Sequence, residues 1–114
     1  MNSERGDAIA AAAEACREKD AVGFASLFTF DGELVLAGGQ KFKGQEAIAR
    51  VTAAYFATCE EIGIEIEDIR YDGDRAVIEW FWYSRDRSTG KSKRRENTIV
   101  LHFQGKAIAS WRES

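Results

Sequence analysis

Few side chains of this 114-residue sequence have the types and spacing that metal binding or histidine catalysis requires. His102 is the only histidine, which excludes a two-histidine catalytic pattern. Cys16 and Cys59 lie far apart, without a CxxC motif or a histidine-rich neighbourhood. Because zinc sites combine four such ligands at close spacing, we predict no metal site and no cofactor.

A second group of reactive side chains is basic and surrounds one predicted hairpin tip. Its members are Arg85, Arg87, Lys91, Lys93, Arg94 and Arg95. Such a patch could meet phosphate or an acidic partner. However, the net charge is -3, Asp86 and Glu96 interrupt the run, and no aromatic residues alternate with the basic ones to stack on bases. We interpret it as a solvated hairpin that protects a sheet edge, and predict no nucleic acid partner.

These side chains belong to one domain, residues 1–114, because the chain is short and 45% of it is hydrophobic. Its N-terminus has charges on both sides of an alanine run, unlike a signal peptide. No apolar run approaches the roughly 20 residues that cross a bilayer. With two unpaired cysteines, these features predict a cytoplasmic protein that does not enter membranes.

Helices must come first along the chain. Residues Asp7 to Lys19 are rich in alanine and predict a helix, and Asp20 can cap a second, short one. A short strand is predicted over Glu33 to Ala37, and a third helix starts at Gly44. The apolar positions at helical spacing are Ile9, Ala12, Ala13 and Cys16 in the first helix, Val22, Phe24, Leu27 and Phe28 in the second, and Ile48, Val51, Tyr55 and Cys59 in the third.

From Ile62 the apolar period changes to two, which is typical of strands. Turn signals then separate the strands at Asp72-Gly73-Asp74, Ser88-Thr89-Gly90-Lys91 and Gln104-Gly105-Lys106. The predicted strands are Ala76 to Arg85, Lys93 to Phe103 and a last one ending at Trp111. Helices followed by a meander of strands predict an α+β fold, with the helices on one face of a curved sheet.

This order of elements, with the segments FDGELVL, FKGQEAIARVTAAYF, AVIEWFWYSRDRSTGKS and IVLHFQGKAIASWRE, resembles the nuclear transport factor 2-like superfamily over nearly the whole chain. That superfamily includes ketosteroid isomerases, SnoaL-type polyketide cyclases and limonene-epoxide hydrolases. The resemblance implies a cone-shaped, cystatin-like α+β fold with N-terminal helices packed on a curved, mostly antiparallel sheet. In these families the concave face encloses an apolar pocket, and the convex face often forms a dimer.

Two local matches to the epoxide hydrolases, Thr89-Gly90-Lys91 and Trp111-Arg112-Glu113, set which strand residues face the pocket. The resemblance thus implies a ligand site for a small apolar or aromatic molecule. Its predicted residues are Tyr55, Ile78, Trp80, Trp82, Asn97, Ile99, Leu101 and Glu113. The alternating residues face outward and predict a homodimer interface of Glu79, Phe81, Tyr83, Val100 and His102. His102 therefore belongs to the interface in this interpretation, rather than to catalysis.

The catalytic sets of these families are absent. The epoxide hydrolase Arg and Asp on one strand align with Trp80 and Trp82, and only its third acid has a counterpart, Glu113. The ketosteroid isomerase base and oxyanion-hole positions align with Ala37, Ala12 and Ile99. Neither mechanism can run on these residues.

Three classes of function follow, and whether the chain is an enzyme stays open. The first is a small-molecule-binding domain with an apolar cone pocket. The second is an isomerase, lyase or hydrolase that uses Glu113, Tyr55 and Asn97, with Glu113 as the catalytic candidate. The third is a non-catalytic dimerisation or assembly module with a filled pocket.

Overall fold

Three helices and six strands form the fold in the computed structural model, which describes residues 2–114. The helices are α1 (Asn2–Arg17), α2 (Ala21–Ser26) and α3 (Gln45–Ala57). The strands are β1 (Phe28–Val35), β2 (Lys41–Lys43), β3 (Cys59–Asp72), β4 (Arg75–Asp86), β5 (Ser92–Gln104) and β6 (Ala107–Glu113).

The six strands form one curved sheet in the order β2-β1-β6-β5-β4-β3. Four of the five strand pairs are antiparallel, and β1 with β6 is the parallel one. The core lies between the helices and one face of this sheet. The predicted α+β fold, with N-terminal helices and a mostly antiparallel sheet, is therefore confirmed.

The short helix α2 begins where the sequence predicts it. The Asp20 side chain accepts a hydrogen bond from the Gly23 N–H at 2.9 Å, so it caps the first turn. The helix ends earlier than predicted, at Ser26, and the prediction that Phe28 lies on it is wrong. Phe28 instead starts β1, where it pairs with Ile108 of β6, because strand pairing replaces the helical hydrogen bonds.

Helix α3 follows Gly44, whose φ of 91° suits glycine. Its buried stripe is Ile48, Thr52 and Phe56. The predicted position of Cys59 on this helix is wrong. The Thr58 N–H and hydroxyl both bond to the Tyr55 carbonyl and close the last turn, so that Cys59 begins β3.

The predicted hairpin turns are confirmed between β3 and β4, β4 and β5, and β5 and β6. A short strand is predicted over Glu33 to Ala37. The observed strand β1 is longer and lies earlier in the chain, since it starts at Phe28 and ends at Val35. Strand β2 carries no apolar alternation of its own, and it exists through its pairing with β1.

Arginines hold both ends of α1 against the sheet. Arg5 donates to the carbonyls of Gly73 at 2.9 Å and Gly105 at 3.1 Å, and pairs with Asp74 at 2.7 Å. Arg17, in the last turn, donates to the Ile64 carbonyl of β3 at 3.0 Å. The first turn of the helix is thus tied to two hairpins and its last turn to a strand, which fixes the helix over the sheet.

Candidate functional site

A cavity of about 280 Å³ opens between the helices and the inner face of β4, β5 and β6. Its lining residues come from all three helices (Cys16, Phe24, Val51, Thr52, Tyr55, Phe56), from β1 and the turn after it (Leu34, Leu36, Ala37, Gly38), and from the sheet (Trp80, Trp82, Arg95, Asn97, Trp111, Glu113). Most of these side chains are apolar. The cavity therefore has the concave, apolar form of a small-molecule site with a few polar groups.

An unbroken series of aromatic rings forms one wall of this cavity. The ring centres of Tyr55 and Trp82 lie 5.8 Å apart, those of Trp82 and Trp80 6.4 Å, and those of Trp80 and Trp111 5.4 Å. Trp80 and Trp111 are each 1% exposed, whereas Tyr55 is 41% exposed. The series therefore runs from the cavity mouth at Tyr55 into the core.

Strand register explains why these groups meet. Side chains alternate between the two faces of a strand, and directly paired residues share a face. Trp80 pairs with Asn97, Trp82 with Arg95, and Glu113 with Ile99. Three neighbouring strands thus bring one amide, one guanidinium and one carboxyl group to the aromatic wall.

Five of the predicted site residues line this cavity: Tyr55, Trp80, Trp82, Asn97 and Glu113. The expectation that Ile78, Ile99 and Leu101 line it as well is not met. All three are fully buried in the hydrophobic core, which also contains the fully buried Ile9 and Ala12 of α1. These three side chains belong to the packed core and not to the lining, so the cavity does not extend to their level of the strands.

Sequence reasoning missed other lining residues. Arg95 occupies the inward position two residues before Asn97, so the same alternation could have found it. In the sequence it also belongs to the basic run around the hairpin, and that run masks its inward position. Thr52 and Phe24 carry no sequence signal that separates a cavity wall from ordinary core.

Glu113 is the half-buried acid of the site. The indole N–H of Trp111 donates to Glu113 Oε2 at 3.1 Å. Burial raises the pKa of the Glu113 carboxyl, while the Trp111 hydrogen bond and the positive charge of Arg95 act in the opposite direction without cancelling it. A carboxyl in this setting can exchange a proton closer to neutral pH than an exposed one.

Two weakly acidic side chains that line the cavity, the Cys16 thiol and the Tyr55 phenol, stay protonated at neutral pH. Burial, followed by the nearby Glu113 carboxylate, raises the pKa of the Cys16 thiol to about 12. Burial also raises the pKa of the Tyr55 phenol, whose oxygen accepts a hydrogen bond from Trp82 Nε1 at 3.2 Å. Cys16 is therefore no nucleophile at neutral pH, and Tyr55 remains a neutral hydrogen-bonding group at the mouth.

Two polar atoms buried in the cavity wall lack a hydrogen-bond partner among the described residues. They are Trp80 Nε1 and Thr52 Oγ1. Leaving such a group unpaired costs about 1–3 kcal/mol.

The relatives of this chain agree with the cone-shaped fold around the cavity. A model of the SnoaL-like domain matches residues 9–111. The chain belongs to the SnoaL-like domain family. No curated protein matches the sequence significantly. The family match, together with solved structures of the same fold, confirms the predicted membership of the nuclear transport factor 2-like superfamily.

Several solved structures share the fold of this SnoaL-like domain. A hypothetical protein from Catenulispora acidiphila, with a ketosteroid isomerase-like fold and in complex with trimethylamine, is 23% identical with a TM-score of 0.88, covering 94% of this chain and 83% of that one. A cystatin-fold protein from Novosphingobium aromaticivorans is 19% identical with a TM-score of 0.82, covering 96% and 97%. TerC, co-crystallised with polyporic acid, is 16% identical with a TM-score of 0.83, covering 97% and 90%. Such identities establish the fold alone.

The basic residues around the β4–β5 hairpin of the SnoaL-like domain do not form one surface. Arg85 pairs with Glu61 at 3.2 Å, and Arg87 donates to the Cys59 carbonyl at 3.0 Å. Arg94 lies over the Phe81 ring at 5.9 Å, whereas Arg95 lines the cavity. The patch is therefore divided between ion pairs, a helix end, and the two faces of the sheet.

The opposite face of the sheet carries the predicted interface row. Glu79, Phe81, Tyr83 and Val100 are half-buried there, and His102 is exposed. Glu79 forms an ion pair with Arg70, in which Glu79 Oε2 lies 3.6 Å from Arg70 Nη2. These residues lie on the outer face, as strand alternation predicts, and His102 does not line the cavity.

Within residues 2–114, no group of three or more His, Cys, Asp and Glu side chains is arranged to hold a metal ion. In the same part of the chain, no helix is both long and apolar enough to span a membrane.

Proposed function

We propose that this SnoaL-like domain binds a small, planar and mostly apolar molecule in the aromatic-walled cavity. The observation that carries the proposal is the combination of Trp80, Trp82 and Tyr55 on one wall with Asn97 and Glu113 beside them. Flat aromatic walls favour flat ligands through offset or edge-to-face contacts. The few polar groups would then fix the ligand's orientation.

The size of the cavity limits the ligand. A volume of about 280 Å³ lies just below the roughly 300–1,000 Å³ range of ligand pockets. Molecules of one or two fused rings suit this space better than a four-ring skeleton. Two proteins of the same fold are in structures with small molecules, trimethylamine and polyporic acid, which supports ligand binding by this scaffold.

Asn97 provides the sharpest test of this function. Its side chain is 8% exposed and lines the cavity opposite Trp80. A two-ring ketone such as 2-tetralone should quench indole fluorescence and raise the melting temperature by mass action. Asn97→Leu keeps the approximate size but removes the amide, so we expect affinity to fall by about ten- to a hundredfold, or about 1–3 kcal/mol.

Thr98→Val is the matched control, because Thr98 is the next residue on β5 and faces the other side of the sheet. It should leave the affinity unchanged. If no member of a panel of one- and two-ring ketones, phenols and acids binds, or if both variants weaken binding equally, the proposed site is wrong.

A second candidate function is acid–base catalysis, which the half-buried carboxyl of Glu113, with its raised pKa, supports. Such a group can remove a proton next to a ligand carbonyl, with Asn97 or Tyr55 donating to the oxygen. Exchange of the acidic C–H protons of 2-tetralone in D₂O, followed by NMR, should then be accelerated by the protein. Glu113→Gln should abolish this acceleration while binding persists, whereas binding without acceleration would leave a binding protein only.

The third class of function, an assembly module with a filled pocket, is disfavoured by a cavity of this size.

We do propose that the domain pairs with a second copy through the outer row of Glu79, Phe81, Tyr83, Val100 and His102. Aromatic side chains in a half-buried row on a sheet face are typical of interfaces. Pairing through that face would leave the cavity open to ligand.

A further inference from the structure

Arg95 is the cationic side chain that lines the aromatic cavity. It lies opposite Trp82 and two residues before Asn97, on the inner face of β5. Because Arg95 is exposed, its guanidinium group sits at the mouth rather than in the core. Within residues 2–114 it belongs to none of the ion pairs.

Other arginines nearby are already engaged. Arg85 pairs with Glu60 and Glu61, and Arg87 donates to the carbonyls of Ala57 and Cys59. Arg94, the neighbour of Arg95, covers the Phe81 ring on the outer face. Arg95 therefore differs from them in presenting an uncommitted guanidinium to an apolar cavity.

The surroundings of the mouth are also cationic. A second cavity of about 180 Å³ shares Tyr55 with the first, and Lys91 and Lys93 line it. Its acid, Asp86, accepts hydrogen bonds from the Ser88 N–H at 2.9 Å, the Thr89 N–H at 2.9 Å and the Ser88 hydroxyl at 2.7 Å. These hydrogen bonds lower the pKa of Asp86 to about 2, so it keeps its negative charge. The three cationic groups Arg95, Lys91 and Lys93 outnumber it and make the mouth attractive to anions.

We propose that the ligand is an aromatic anion, an inference that rests on the proposed function of ligand binding in this cavity. Its ring system would lie along Trp80 and Trp82, and its carboxylate or phenolate oxygen would pair with Arg95 at the mouth. A planar guanidinium can bind a carboxylate through two parallel hydrogen bonds and also stack on aromatic rings. Its position opposite Trp82 allows both interactions at once.

Glu113 is the second charged side chain of the cavity, and it does not prevent this binding. Its carboxyl is half-buried and already accepts the Trp111 N–H. Burial favours its neutral form by raising its pKa, so an incoming anion meets less repulsion than from an exposed carboxylate. The positive charge of Arg95 also acts on Glu113, so the bound anion would lie beside the neutral form of this acid.

The test compares two ligands of nearly equal shape, 2-naphthoate and its neutral amide 2-naphthamide, by calorimetric titration. The wild-type chain should bind the carboxylate about five- to tenfold more tightly. Arg95→Gln should remove this preference without weakening the amide, and Arg95→Lys should restore part of it. Arg94→Gln is the matched control, since it removes the same charge from the adjacent residue on the opposite face, and it should retain the preference.

Each outcome decides between the two proposals. If the amide binds the wild-type chain as tightly as the carboxylate, or if Arg94→Gln and Arg95→Gln lose the preference equally, the role of Arg95 is wrong while ligand binding stands. If neither compound nor the neutral ketone 2-tetralone binds, the proposed function fails and this inference fails with it.

Discussion

Glu113 is the acid of the cavity, and its environment raises the pKa of its carboxyl. It is half-buried, lines the cavity, and accepts a hydrogen bond from the Trp111 N–H. The same burial that makes it a candidate acid or base also makes its charged form costly in the folded state. Its proton affinity should therefore be visible in the stability of the protein.

We expect Glu113→Gln to stabilise the fold relative to the wild type at pH 7–8 more than at pH 4. The folded-state pKa is raised, so the folded protein holds the proton more tightly than the unfolded chain does. Wild-type stability is then lost as pH rises from the unfolded-state pKa through the folded-state value, and glutamine avoids that loss. Glutamine can still accept the Trp111 hydrogen bond.

Urea denaturation from pH 4 to pH 8 measures this difference, and Glu18→Gln, an exposed acid on the solvent side, is the control. A difference between Glu113→Gln and wild type that is independent of pH would contradict the assigned environment of Glu113.

Sequence reasoning at the residue scale succeeded where local rules apply. Alternation placed Trp80, Trp82 and Asn97 toward the interior because a strand has only two faces. It did not show how deep the cavity extends, because Ile78 and Ile99 share that face but lie where the core is filled. Depth depends on how helices cover the sheet, and no local pattern encodes that contact.

Elements with their own local signals were predictable, and those that depend on distant partners were not. Asp20 predicted the start of helix α2, and the glycine-containing turn signals predicted the three turns of the meander. The parallel pairing of β1 with β6 brings together residues as distant in sequence as Phe28 and Ile108, and β2 forms only against β1. The contacts of Arg5 are equally non-local, since its partners lie in two hairpins far along the sequence.

Arg5→Ala tests whether that contact holds α1 in place. The Arg5 side chain is only 12% exposed, donates to two backbone carbonyls and lies over the Phe103 ring at 5.2 Å. Its removal should lower the free energy of unfolding by about 1–3 kcal/mol, because hydrogen bonds from a charged donor are lost. Urea denaturation measures the loss, and hydrogen exchange should speed up in the first turn of α1.

Arg50→Ala is the control for this element. Arg50 makes an exposed pair with Glu46 on α3, and such pairs contribute about 0.3–0.5 kcal/mol. Equal losses for the two variants would mean that Arg5 does not fix the helix.

At the scale of the whole molecule, the sheet separates two kinds of surface. Its inner face carries the cavity, and its outer face carries Phe81 and Tyr83 beside charged neighbours such as Glu79 and Arg94. The charges of the outer row keep it compatible with water, while its aromatic rings offer area to bury. A second copy of the chain presents the same row. A two-fold arrangement would bury the aromatic rings of the two rows against each other.

Phe81→Glu should convert the dimer that we propose into a monomer, because two added carboxylates would face each other across the two-fold interface. Sedimentation at tens of micromolar should give about twice the chain mass for the wild type and a single chain mass for the variant. Phe30→Glu is the control: Phe30 is 91% exposed and lies on β1, outside the outer row. Dissociation by Phe30→Glu with Phe81→Glu still dimeric would move the interface to the β1 edge, and a monomeric wild type would refute pairing through the sheet altogether.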